Sequence, residues 1–152
     1  MRRCEPPRKA RLEALKGYRV LDTDAEQTYD YITLLAAQIC DVPIALISLV
    51  DAERQWFKSR VGLDVQETSR DVSFCSRAIL GEQTLVVRDA REDERFRNNP
   101  LVCSEPHIVF YAGVPLSTPE GFRIGTLCLI DHSPRDLSSV QLRSLEALAL
   151  SL

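Results

Sequence analysis

The sequence predicts an α+β domain organised around a central antiparallel β-sheet of five or six strands, and three observations predict it. The stretch 108–131, IVFYAGVPLSTPEGFRIGTLCLID, reads as two strands joined by a punctuated turn. An unbroken apolar run, Ile44 to Val50, follows a proline and has the length of a buried strand. Two longer stretches with helical periodicity lie near the two ends of the chain, which places runs of helix and strand in segregated blocks. The two long helices are expected to share one face of the sheet.

In chain order, residues 10–21 carry a short helical pattern ending near Gly17. A firmer helix is expected from Asp24 to Cys40. Thr23 with Glu26 matches a capping box, and Tyr29, Ile32, Leu35 and Ile39 recur at helical spacing until Asp41-Val42-Pro43 stops the run. Ile44 to Val50 is the strand that receives this helix. Arg54 to Ser59 is its antiparallel partner, nearer an edge because polar residues alternate with bulky ones. Gly62 to Arg70 reads as loop. Ser73 to Leu80 is a short helix with Phe74 and Ala78 turned inward and Gly81 at its end. Thr84 to Arg88 is a third strand, and the charged run Asp89 to Asn99 is a solvated segment with one buried candidate, Phe96.

The hairpin strands are expected at Ile108 to Leu116 and Phe122 to Ile130, around Thr118-Pro119-Glu120-Gly121. Proline presets φ at the second turn position and glycine accepts the exit geometry. Phe110, Ala112, Val114 and Leu116 share one face and Val109, Tyr111 and Gly113 the other. Neither face is polar, so the hairpin is covered on both sides. Ser138 with Gln141 forms a second capping box, and Leu137 can staple against Leu142. Leu142, Leu145, Ala149 and Leu152 then recur at three-four-three spacing, as either a coiled-coil seam or the face packed on the sheet. This helix carries no stop at residue 152 and is expected to lead toward an output domain.

Composition narrows the classes of function. With 152 residues, 45% hydrophobic and 27% charged, the chain suits one globular domain with one sizeable core. No apolar run approaches the roughly 18 residues of a membrane span, and the arginine-rich start lacks the apolar segment of a signal peptide, so a cytoplasmic location without membrane insertion is expected. A net charge of −3 offers no electrostatic footprint for nucleic acid. Arg2, Arg3, Arg8, Lys9 and Arg11, with Pro6 and Pro7, make residues 1–10 a flexible basic leader.

Five cysteines, Cys4, Cys40, Cys75, Cys103 and Cys128, occur without a C-x-x-C pair and in odd number, which fits reduced thiols rather than a disulfide framework. Zinc ligation by Cys75, Cys103, His107 and Cys128 lacks closely spaced ligand pairs, and no metal site is expected. Phosphate-binding glycine loops, nucleophile elbows and H-E-x-x-H are missing. Cys103 and His107 are four apart, but Pro106 opposes the helix that would align them as a nucleophilic pair. No catalytic residue is therefore assigned. The remaining chemical candidates are Cys75 or Cys103 as a redox-active thiol.

Several segments in succession resemble GAF domains of bacterial signalling proteins: Arg54 to Ser59, Ser73-Phe74-Cys75, Asp89-Ala90 with Asp93 to Phe96 and Asn99 to Val102, Phe110 to Gly113 with Pro115-Leu116, and Gly125 to Cys128 with Ile130-Asp131 and Pro134-Arg135. The resemblance runs from about Arg11 to Leu152, a single domain over 11–152 with 137–152 the start of the outgoing helix. It implies terminal helices on one sheet face and, on the other, a small-molecule pocket covered by loops and short helices. It also implies a sensory role, with homodimerisation through the terminal helices and a histidine kinase, diguanylate cyclase or other output domain in the full-length protein.

Where the family often has histidine two residues after the cysteine of Ser-Phe-Cys, this chain has Arg77. Cys75 and Cys103 are each followed by serine rather than histidine, so covalent bilin attachment is not expected. The N-K-F-D-E signature of cyclic-nucleotide binders is missing, so that cofactor is not expected either, and the ligand stays unassigned. The expected pocket residues are Trp56, Phe74, Cys75, Phe96, Phe110, Thr126 and Cys128, with core packing the alternative for each. The expected dimer helix presents Leu142, Leu145, Ala149 and Leu152. A free methionine sulfoxide reductase-like or redox role for Cys75 or Cys103 is the alternative function.

Overall fold

The computed structural model describes residues 8–17, 26–69, 74–81 and 83–152. In chain order the elements are α1 (Arg8–Gly17), α2 (Gln27–Cys40), β1 (Ile44–Val50), β2 (Arg54–Val61), β3 (Glu67–Ser69), α3 (Phe74–Ala78), β4 (Leu85–Val87), α4 (Pro100–Cys103), β5 (Phe110–Ser117), β6 (Arg123–Asp131) and α5 (Ser139–Leu150). Among the described residues the sheet has six strands in the order β3-β2-β1-β6-β5-β4, every neighbouring pair antiparallel. The expected hairpin forms β5 and β6 beside the middle of this sheet. Its turn closes with Gly121 N donating to Thr118 O at 2.9 Å, and Gly121 takes the positive φ of 90° that a side chain would resist.

The sheet carries a core on each face. Ala45, Ile47, Phe110, Ala112, Val114, Leu127 and Leu129 meet Ile32, Ala36 and Ala37 of α2 and Leu145 and Ala149 of α5. On the other face Ile44, Leu46, Phe57, Tyr111, Cys128 and Ile130 meet α3 and the segment 87–102. The alternation follows the period of two along a strand, and the two long helices share one face as expected.

Several expectations require correction. Residues 8–10, assigned to the leader, belong to α1; residues 1–7 lie outside the described residues. Thr23 and the start of the helix expected from Asp24 also lie outside them. Glu26 is the N-cap of α2 but makes no side-chain capping bond; its carboxylate instead receives the Lys58 ammonium at 3.1 Å.

The expected inward stripe of α2 is rotated. Ile32, Thr33, Ala36, Ala37 and Cys40 are buried, whereas Leu35 and Ile39 are exposed; Ile32 keeps its expected place, and Ala36, Ala37 and Cys40 take the contact with the core that Leu35 and Ile39 were expected to make. Within the loop expected from Gly62 to Arg70, Glu67–Ser69 pair with Arg54–Trp56 as the edge strand β3. Helix α4 was not expected; Asn99 starts it, its side chain accepting from Leu101 N at 2.8 Å with Pro100 at the first turn.

The Ser138–Gln141 capping box is present in both directions. Arg135 joins the end of α2 to the β6–α5 connection, donating to Cys40 O at 2.6 Å and Asp41 O at 2.5 Å. A β-bulge tunes the contact between β2 and α2. Ile47 pairs with Ser59 and Ser48 with Phe57, which leaves Lys58 as the extra residue. Lys58 then lies 5.6 Å from the Tyr29 ring, while Ser59 Oγ donates to Asp30 Oδ1 at 2.6 Å and sits 2.8 Å from Thr33 Oγ1. The bulge thus fixes α2 by polar contacts where its buried face has few large side chains.

Candidate functional site

On the face opposite α2 and α5, five of the expected site residues, Phe74, Cys75, Phe96, Thr126 and Cys128, converge with Tyr111 and Ser48. Cross-strand pairing sets them side by side: Ser48 opposite Thr126, and Gly113 opposite Cys128. Tyr111 lies along the sheet over Gly113, where a Cβ would overlap its hydroxyl and ring carbons, so glycine at 113 is what lets the phenol reach Cys128. Phe74 and Cys75 are delivered from above by α3. Phe74 stacks on Phe96 with ring centroids 4.1 Å apart and 8° between planes, and tilts against Tyr111 at 5.1 Å. Phe74, Phe96, Tyr111, Cys75 and Cys128 are all at most 3% exposed. Among the described residues, these side chains pack against one another on the face on which the resemblance implied a ligand pocket.

The chemistry of this cluster centres on Cys75. Its Sγ accepts from Thr126 Oγ1 at 2.9 Å and lies 3.1 Å from Tyr111 Oη and 3.9 Å from Cys128 Sγ. The Ser48 hydroxyl, buried and without a hydrogen-bond partner among the described residues, adds its dipole to the same sulfur. Burial by itself would raise the Cys75 pKa, but hydrogen bonds from Cys128, Thr126 and Tyr111, together with the nearby Ser48 hydroxyl dipole, outweigh it and bring the thiol down to about 7. Cys128 is pushed well up by its hydrogen bond to Cys75 and then by burial. Tyr111 is pushed well up by burial and by the charge on Cys75. One thiolate surrounded by neutral donors is the arrangement these directions describe.

The structure separates the other expected residues from this cluster. Phe110 is on the helix-bearing face, as its parity with Ala112 and Val114 dictates. Trp56 is also there, against Leu15 of α1 and Leu49, because it pairs opposite Leu49. Cys103 is exposed on α4 with its thiol toward Arg97 O at 3.4 Å, while the His107 ring lies 3.8 Å from Glu105. Among the described residues no group of His, Cys, Asp and Glu is placed to hold a metal ion. Sequence reasoning missed Tyr111 and Ser48. Their signal was a polar atom at an otherwise apolar strand position, and for Tyr111 a glycine two residues on.

Two further features lie on the helix-bearing side. A cleft of about 430 Å³ is bordered by Tyr29, Lys58, Val114, Leu116, Ile124 and Glu146, with Thr84 Oγ1 donating to Glu146 Oε2 at 2.7 Å. On α2, Tyr31, Leu34, Leu35 and Ile39 are between 41% and 56% exposed, outside the helix's buried stripe. The stripe expected to form a dimer seam on α5 is not such a surface. Leu145 is fully buried and Ala149 nearly so, both against the sheet; Leu142 is half-buried and Leu152 partly exposed. The three-four-three spacing marks the sheet-packing face.

A six-stranded antiparallel sheet with helices on one face and α3 and α4 over a polar-centred core on the other defines the class of protein, and the sequence agrees. The GAF domain family matches residues 24–152, and the chain belongs to that family. A GAF domain with a sensory or regulatory role in bacterial signalling is what the resemblance implied.

The chain is 48% identical over 116 residues to a cyclic di-GMP phosphodiesterase of Pseudomonas aeruginosa; this match covers 76% of the chain and 20% of the relative, so the chain spans about a fifth of that protein's length. The fold is similar to the GAF domain of an Acinetobacter phosphoenolpyruvate-protein phosphotransferase, with a TM-score of 0.62 and 18% identity, covering 96% of this chain and 90% of that one. It is also similar to a free methionine-R-sulfoxide reductase from Neisseria meningitidis solved with its substrate, with a TM-score of 0.64 and 18% identity, covering 97% and 88%. At these identities the solved structures speak for the fold alone. No helix among the described residues is long and apolar enough to cross a membrane.

Proposed function

We infer that this GAF domain is a non-catalytic regulatory module that works as a homodimer in the cytoplasm and passes a signal to a cyclic di-GMP phosphodiesterase output in the full-length protein. The observation that carries this reading is α2. Tyr31, Leu34, Leu35 and Ile39 form an apolar stripe on its outer side, while Ile32, Ala36 and Ala37 bury the inner one. Large apolar side chains left exposed on a helix already buried on its other side suit a partner surface, and a second copy of the same helix supplies one with matching shape and no new chemistry. The 48% identity to a cyclic di-GMP phosphodiesterase supports the choice of output. Packing of Phe74 against Phe96 supports transmission between helices over capture of a small molecule between α3 and the sheet, because a ligand there would have to part the stacked rings. A signal acts by favouring one arrangement of the paired helices over another, to the extent that it binds the two differently.

Sedimentation velocity tests the reading. The wild-type chain is expected to run as a dimer, Leu35→Glu as a monomer of unchanged secondary structure, and Leu150→Glu, at an exposed site on α5, as a dimer. A wild-type monomer, or a dimer that survives Leu35→Glu together with Leu34→Glu, would overturn it.

A further inference from the structure

We propose that Cys75 and Cys128 are a peroxide-reactive thiol pair that closes to a disulfide between α3 and the central strand β6. The inference is independent of the dimer reading, and it rests on geometry. The two sulfurs are 3.9 Å apart, so a bond of about 2.05 Å requires them to approach by only about 2 Å, within reach of a change in cysteine side-chain torsion. Both residues are at most 2% exposed. The Thr126 hydroxyl points its proton at Cys75 Sγ, and Tyr111 Oη reaches the same atom. Hydroxyls in those places favour the thiolate over the thiol and afterwards serve a departing oxygen.

The partners are unequal. Against burial, its hydrogen bonds lower the Cys75 thiol, while Cys75 and then burial raise that of Cys128, so Cys75 is the readier nucleophile, the division of labour a two-thiol reaction needs. The sheet supplies the rest of the constraint: Cys128 is fixed by pairing with both Leu46 and Gly113, so the mobile partner is the five-residue helix α3.

The co-reactant is a small hydroperoxide. In the first step the Cys75 thiolate attacks one peroxide oxygen, an S–O bond forms as the O–O bond breaks, and hydroxide leaves and is protonated to water. Cys75 is now a sulfenic acid, oxidised by two electrons. In the second step the Cys128 sulfur attacks Cys75 Sγ, the S–S bond forms as the S–O bond breaks, and the departing hydroxide takes the Cys128 proton. Two thiols and one hydrogen peroxide give one disulfide and two waters. Phe74, Phe96 and Phe57 share the apolar core around the pair, and sulfurs at most 2% exposed are closed to an oxidant the size of oxidised glutathione, so the co-reactant has to be small. The product ties the element covering this face to the middle of the sheet.

The test treats the native chain with hydrogen peroxide and, separately, with oxidised glutathione, then maps disulfides by mass spectrometry after alkylation of remaining thiols. The expected result is a Cys75–Cys128 disulfide with hydrogen peroxide, a mass lower by two hydrogens, and reversal by dithiothreitol. Cys128→Ser should stop at a sulfenic acid trapped by dimedone on Cys75, and Cys75→Ser should leave Cys128 unoxidised. Thr126→Val, which removes a hydroxyl but keeps the shape, should slow the reaction at least tenfold. Oxidation confined to the exposed Cys103 while Cys75 and Cys128 remain alkylatable would overturn the proposal. So would a disulfide that joins other cysteines, or equal reaction with oxidised glutathione.

Discussion

Replacement of Leu145 by alanine separates the two roles that the α5 stripe could have. Leu145 is fully buried in a core with Ile32, Ala36, Phe110, Ala112, Leu127 and Leu129. The change deletes three carbons, each contributing about 0.8 kcal/mol of transfer energy. The cavity between α5 and a sheet held by hydrogen bonds to both neighbours closes only in part and adds to that loss. Together they give about 3 kcal/mol, within the range of buried leucine truncations. At a slope of about 2 kcal/mol/M the urea midpoint should fall by about 1.5 M, and for a domain of this size the melting temperature should fall by about 6–12 °C. The assay is urea unfolding followed by circular dichroism at fixed protein concentration, since dimerisation makes stability concentration-dependent. The folded variant should still sediment as a dimer. A midpoint displaced by less than about 0.25 M, about 0.5 kcal/mol at that slope, together with loss of the dimer would refute the reasoning, because that is how an interface residue behaves, not a core one.

Other outcomes follow from particular contacts. Ser138→Ala, which removes the side chain that accepts from Gln141 N, should cost about 1 kcal/mol in the same titration. Gly113→Ala forces its Cβ into Tyr111 and should destabilise by about 1–3 kcal/mol; Tyr111→Phe in the same chain should recover part of it by removing the hydroxyl. The Cys75 thiol, lowered from an ordinary 9.0 to about 7, contributes stability that is fully present above pH 9 and is lost as pH falls through 7. The wild-type chain should therefore gain stability relative to Cys75→Ser between pH 7 and 9, with thiolate absorbance rising around pH 7. Above pH 9 the raised Cys128 and Tyr111 act in the opposite sense. A flat difference from pH 7 to 9 would contradict the cluster's electrostatics.

The sheet was legible in the sequence because strand signals are local: branched runs, a proline-glycine turn, and a parity that already set Phe110 apart from Tyr111. The Ser138 capping box was legible for the same reason. What sequence could not supply was which face of an element meets which neighbour. Trp56 was expected in the pocket as an aromatic beside polar residues, yet its pairing opposite Leu49 turns it toward α1. In α2 the expected stripe used the largest apolar residues, and of those Ile32 does face the core, but Thr33, Ala36, Ala37 and Cys40 are buried beside it where Leu35 and Ile39 were expected. On α5 the stripe was read correctly as a stripe, but its partner is the sheet. In each case the deciding fact is a contact between residues distant in the chain, and periodicity carries no record of it.

Hydroxyl-radical footprinting of the chain across a dilution series tests the central claim most directly, because it reads the exposure of individual side chains. The account predicts that Tyr31, Leu34, Leu35 and Ile39 are protected when the chain is concentrated and become reactive together on dilution, while Leu145 stays protected throughout and Val140 and Leu150 stay reactive. Protection that instead appears on Val140 and Leu150, with the α2 stripe reactive at every concentration, would contradict it.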